Sequence, residues 1–74
     1  MKKLDLHTVK HTNAPDEIRK FLNYAEIPAK IVTGHSKKMR EIVEKIVKEY
    51  GYCCYFESSI NFGALIVNDV SSNV

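Results

Sequence analysis

The chain has no apolar run that approaches the roughly 20 residues a helix needs to span a bilayer. Cysteine is nearly absent as well: there are two, Cys53 and Cys54, and they are adjacent. Adjacent residues of a strand point to opposite faces, so these thiols do not bridge readily, and they lack the spacing of a zinc ribbon or a CxxC redox pair. Buried, reduced thiols are the expectation. An excess of charge of one sign is lacking too, with a net value of +2 that does not by itself announce nucleic acid. Met1-Lys2-Lys3 is basic, but no apolar stretch of signal-peptide length follows it. The sequence holds no internal repeat or low-complexity tract. These absences point to a soluble cytoplasmic protein with no membrane partner.

What is present is a globular composition, 45% apolar and 27% charged, in 74 residues. That length makes one small domain, expected over residues 1–69 with a flexible tail at 70–74. Such a chain buries only about 60% of its extended surface, so its core is thin.

Residues 3–7 alternate polar and apolar, as a half-buried strand does. A polar loop follows, in which Thr12 or Asn13 can cap a helix that has Pro15 and Asp16-Glu17 in its first turn. Ile18, Phe21, Leu22 and Ala25 repeat at helical spacing until Ile27-Pro28 ends the pattern. Residues 29–33 read as a second strand, with β-branched Ile31 and Val32. Gly34 turns the chain and Ser36 caps a second helix, whose apolar stripe is Met39, Ile42, Val43, Ile46, Val47 and Tyr50. Gly51 stops it. Residues 52–56 and 64–67 read as the last two strands. The expected fold is α/β: a two-layer βαβαββ sandwich, with two helices on one face of a four-stranded mixed sheet.

Two short strings carry the chemistry, Asp5-Leu6-His7-Thr8 and Thr33-Gly34-His35-Ser36. A helix of about 11 residues spans about 16 Å, as does a five-residue strand, so one folds back along the other. A right-handed crossover then brings the ends of strands one and two to the same sheet edge, where open α/β sheets bind ligands. Asp5 and His7 are two apart and share a face. An imidazole titrates near neutrality and acts as general acid or base, with Asp5 holding its tautomer or joining a cation. His35 offers a second acid/base or a phosphate donor. Lys37, Lys38 and Arg40 crowd the helix N-terminus, where the macrodipole disfavours cations by a few tenths of a kcal/mol. A docked anion would offset that cost, although each lysine alone is accounted for by extension into water. His11 has no motif behind it and reads as loop. A zinc site built from three histidines and Asp5 lacks the close ligand pairs such sites show.

At these two strings the chain resembles the Smr (small MutS-related) domain family, whose first strand ends in Asp-Leu-His-Gly and whose second ends in Thr-Gly-x-Gly. A His-Ser pair follows that loop, and a glycine-preceded apolar strand closes the domain, as Phe62-Gly63-Ala64-Leu65-Ile66-Val67 does here. The resemblance runs from Leu4 to about Asp69. It implies sheet order 1-2-4-3 with strand four antiparallel, a fold similar to the C-terminal domain of bacterial translation initiation factor three. It also implies binding of structured DNA or RNA and nicking or ribonucleolytic cleavage through Asp5, His7 and His35, assisted by Mg2+ or Mn2+. Thr8, Thr33, Gly34, Ser36, Lys37, Lys38 and Arg40 would form the nucleic-acid-binding surface. Thr8 stands where the family has glycine, and the second loop is shorter; both departures favour binding over cleavage. A third reading is a protein-interaction module. Helices on one face leave the other open, and that face is expected to show Val32 and apolar residues of strands three and four to a second copy or a larger protein.

Overall fold

The computed structural model describes residues 1–58 and 60–69; the expected tail at 70–74 lies outside them. The elements are β1 (Lys3–Asp5), α1 (Ala14–Tyr24), β2 (Ala29–Val32), α2 (Lys37–Glu49), β3 (Tyr52–Phe56) and β4 (Ala64–Asp69). They form one four-stranded mixed sheet in the order β1-β2-β4-β3. β1 and β2 are parallel, and β4 runs antiparallel to both of its neighbours, β2 and β3. β1, β2 and β3 therefore all point the same way, and their C-terminal ends meet the start of β4 at one edge.

α1 buries Ala14, Ile18 and Leu22, one residue per turn along a single stripe. Asn13, one of the two expected residues, holds the N-cap position, but its side chain makes no capping bond. Leu22 is the last side chain α1 buries, and the backbone is already extended at Ala25, before Ile27-Pro28 is reached. α2 follows its sequence signals closely. Ser36 Oγ accepts from the Met39 N–H at 3.1 Å, and Met39, Val43, Ile46 and Val47 are buried. Gly51 leaves the helix at φ +77°, a left-handed conformation that costs glycine little.

Both helices pack on one sheet face, where Leu6, Ile31, Leu65 and Val67 meet Ile18, Leu22, Val43, Ile46 and Val47 in one cluster. Fully burying a side chain of this size contributes about 1.5–3 kcal/mol, and this cluster holds the layers together. Three strand boundaries differ from expectation, and the smallest difference is that β2 stops at Val32 instead of Thr33. β1 stops at Asp5 because the chain turns at once: the Val9 N–H donates to the Leu6 carbonyl at 3.0 Å, so His7 lies in a turn. β4 runs on to Asp69 because β3 supplies partners, Tyr52 opposite Asp69 and Cys53 opposite Asn68.

The opposite face is less apolar than expected. Ala64 and Ile66 point to it but are 2% and 8% exposed, and Val32 is half-buried. An ion pair between Lys30 of β2 and Glu57, just past β3, spans β4 at 2.5 Å. Tyr55, opposite Ile66, is the large exposed side chain on that face. The cysteines form no disulfide and are half-buried, not fully buried. Cys54 packs against the core, and burial, aided by Glu44, pushes its thiol up to about 11. Among the described residues no helix is long and apolar enough to cross a membrane.

Candidate functional site

The two strings come together. Beyond β1 the Leu6 N–H donates to the Val32 carbonyl at 2.7 Å, which carries the pairing one residue further before the chains diverge. Leu6 is completely buried, so its neighbours Asp5 and His7 are turned outward. Gly34 has φ +67°, and a Cβ at that position would stand 3.3 Å from His7 Cβ. The turn after β2 thus rests directly against the turn after β1, and glycine is required for both its backbone sign and its close approach.

The Gly34 turn is also tied to β4. The Gly63 carbonyl accepts the Thr33 N–H at 2.8 Å and the Gly34 N–H at 3.0 Å. The Thr33 hydroxyl donates to the Gly34 carbonyl at 2.9 Å and approaches the Gly63 carbonyl at 3.3 Å. Thr33 is 2% exposed. It was expected to contact ligand, but its polar groups are engaged inside the protein; it is a strut that fixes the loop. The Gly34 amide, engaged on Gly63, is likewise not a free donor.

His7 is held by Asp5 twice. Asp5 Oδ1 accepts the His7 backbone N–H at 3.0 Å and lies 2.5 Å from His7 Nδ1. The side-chain bond to His7, followed by the backbone bond, holds the Asp5 carboxyl below its ordinary range. A carboxylate is an acceptor only, so Nδ1 carries the hydrogen and Nε2 is left as the working atom. His7 and Asp5 are roughly half exposed, with side chains 56% and 45% accessible.

The other expected residues divide. Thr8 and His35 are exposed on the two turns, and Lys37 and Lys38 are exposed at the start of α2. Helix geometry supplies no acceptor for the first amides of α2, and no acidic residue lies in its first turn. Ser36 is engaged as the cap. Arg40 turns the other way: its guanidinium lies 5.8 Å from the centroid of the Phe56 ring and donates to the Phe62 carbonyl at 3.5 Å. His11, read as plain loop, belongs to this edge after all, with Nε2 3.3 Å from Ser36 Oγ. The signal that could have found it is the shared direction of the two crossovers, which starts both helices at one edge.

Among the described residues no group of three His, Cys, Asp or Glu side chains converges as a metal site would require. Asp5 Oδ1 is occupied by His7, so the donors present do not fit a protein-built Mg2+ or Mn2+ site. Clefts lie away from the edge, among them one along Glu41, Glu44, Lys45, Lys48 and Glu49 and one at Met1, Lys2, Glu26, Ile27 and Pro28. Compared with known proteins, the chain matches no family, no curated protein and no solved structure.

Proposed function

We propose that this edge binds the phosphates of nucleic acid and that the Asp5–His7 pair is its acid/base centre for phosphodiester cleavage. The observation that carries the reading is the contact of Gly34 with His7, which sets an oriented imidazole beside the cationic start of α2. An exposed edge suits a polymer lying across it better than a small molecule, which binds in a concave pocket. The first amides of α2, with Lys37 and Lys38, supply donors and charge for a phosphate. His7 Nε2 takes the proton from the attacking hydroxyl or returns one to the leaving oxygen, while Asp5 fixes the ring and stabilises the imidazolium. This is the chemistry implied by the resemblance to Smr domains. Unbridged cysteines fit a reducing compartment, and we place the protein in the cytoplasm.

The test joins binding and cleavage. A labelled structured RNA and a supercoiled plasmid are incubated with the protein, with and without Mg2+ or Mn2+, while amide spectra are followed during titration with a short oligonucleotide. Shifts at residues 7–9 and 34–39 with strand scission are expected. His7→Ala should slow scission about 10²–10⁴-fold and leave binding within about twofold. Shifts confined to β3 and β4 with no scission by the wild-type protein would refute the reading. The open sheet face offers a protein partner less apolar surface, since it carries an ion pair and its Ala64 and Ile66 are buried.

A further inference from the structure

β3 ends and β4 begins at the same edge as the two strings, and their connection presents aromatic surface there. Phe56 and Phe62 meet edge to face, with centroids 4.7 Å apart and planes at 72°, and they are 39% and 47% exposed. Ile60 is 91% exposed. Phe62 adjoins Gly63, whose carbonyl holds the Gly34 turn. Phe62 is therefore one residue along the chain from the carbonyl that holds the Gly34 turn.

Asn61 ties together described residues on both sides of Phe62. Asn61 donates from its side chain to Glu57 Oε1 at 3.0 Å and from its backbone to Ser58 Oγ at 3.0 Å, and its Oδ1 accepts the Gly63 N–H at 3.0 Å. The negative charge of Glu57 is met by Lys30. Phe62 lies between Asn61 and Gly63, which these contacts tie together, so less ordering entropy is lost when something docks on its ring. Arg40 completes the group. Its guanidinium lies over Phe56, one N–H reaches the Phe62 carbonyl, and the fork has four further donors.

We propose that Phe62, Phe56 and Arg40 form a platform for unpaired nucleobases, so that the strand crossing the edge is single-stranded where it passes the β3–β4 connection. This rests on the nucleic-acid reading above and adds the substrate class. Aromatic faces flanked by cationic side chains are how proteins hold single strands, with bases stacking on rings while the backbone tracks positive charge. A duplex keeps its bases stacked on one another and offers none to Phe62.

The experiment uses the full chain and three oligonucleotides of one sequence, about six nucleotides long: a single strand, its duplex, and a single strand with central abasic positions. DNA and RNA versions of each are run. The wild-type protein should bind the intact single strand about tenfold more tightly than either the duplex or the abasic strand. Phe62→Ala should remove that preference, Phe62→Tyr should keep it, and Lys37→Ala should weaken all three alike. Equal affinity for intact and abasic strands, or full affinity in Phe62→Ala, overturns the platform and leaves the phosphate edge standing. Failure of every oligonucleotide to shift residues 34–39 removes the nucleic-acid reading itself, and the platform with it. A doubled mass of the free protein that Phe62→Ala reverts would make the patch a self-association surface and also overturns the proposal.

Discussion

Toward the C-terminal end of α2, Arg19 of α1 donates to Glu49 at 3.0 Å, and the Tyr50 hydroxyl donates to Asn23 Oδ1 at 2.9 Å while approaching the Arg19 carbonyl. At the N-terminal end of the same helix Lys37 and Lys38 are exposed, the first turn has no acidic residue, and Gly34 and Gly63 hold the neighbouring loops by backbone contacts. The polar side chains of the first end work on each other and tie α1 to α2. At the second, Lys37 and Lys38 are aimed outward, from a backbone that Thr33 and Ser36 help to fix. That division separates what the helix layer uses for stability from what it has available for a ligand.

The sharpest way to break the comparison is at Gly34. Any side chain there must adopt a left-handed backbone and push against His7 Cβ. Gly34→Ala should cost about 1–2 kcal/mol, read as a lower denaturation midpoint at unchanged slope, and should disturb His7 more than Glu49. If the amide signals near Glu49 moved as far as those of His7, the two ends would be one coupled unit.

A second test sets cap against ion pair. Ser36 fixes the start of α2 through Met39 and meets His11, so Ser36→Ala should cost about 1 kcal/mol. The Arg19–Glu49 pair is 45% exposed on both sides, and a double-mutant cycle there should return no more than about 0.5 kcal/mol in coupling. Adding salt should shrink the second value and spare the first. A coupling larger than the cap would mean that the far end, not the Ser36 turn, anchors α2.

How much of this was legible follows from which signals are local. The α2 stripe, its Ser36 cap and its Gly51 stop are all written within a few residues, and the helix has those bounds. The meeting of His7 with Gly34 was legible from crossover handedness, because chirality leaves one way to return a parallel strand. The roles of Thr33, Arg40 and His11 were not. Thr33 became a strut and Arg40 a neighbour of Phe56 because β4 enters the sheet beside β2 and brings Gly63 and Phe62 to the edge; the resemblance implied that strand order, but which side chains meet there is written in no short pattern. The open face misled for a related reason: strands apolar on both sides suggested a bare patch, whereas Lys30 and Glu57 reach over β4.

The smallest expected effect concerns protons. Asp5 is held below its ordinary range by the two bonds from His7, so the folded state favours its carboxylate relative to the unfolded chain. A depressed carboxyl stabilises the fold at pH values above its unfolded pKa, about 3.9, and that contribution disappears as pH falls through the lower folded value. Glu57 is shifted the same way by Lys30, so the wild-type protein should lose stability on acidification for two reasons. Asp5→Asn removes one of them. The variant should be less stable than the wild type near neutrality, and the gap should narrow as the pH is lowered from about 6 to about 3. Chemical denaturation across that range checks it, and the same fall in Lys30→Ala would separate the Glu57 contribution. A gap that stayed constant with pH would show that folding does not favour the Asp5 carboxylate over its protonated form, and that the bonds to His7 do not link the fold to pH.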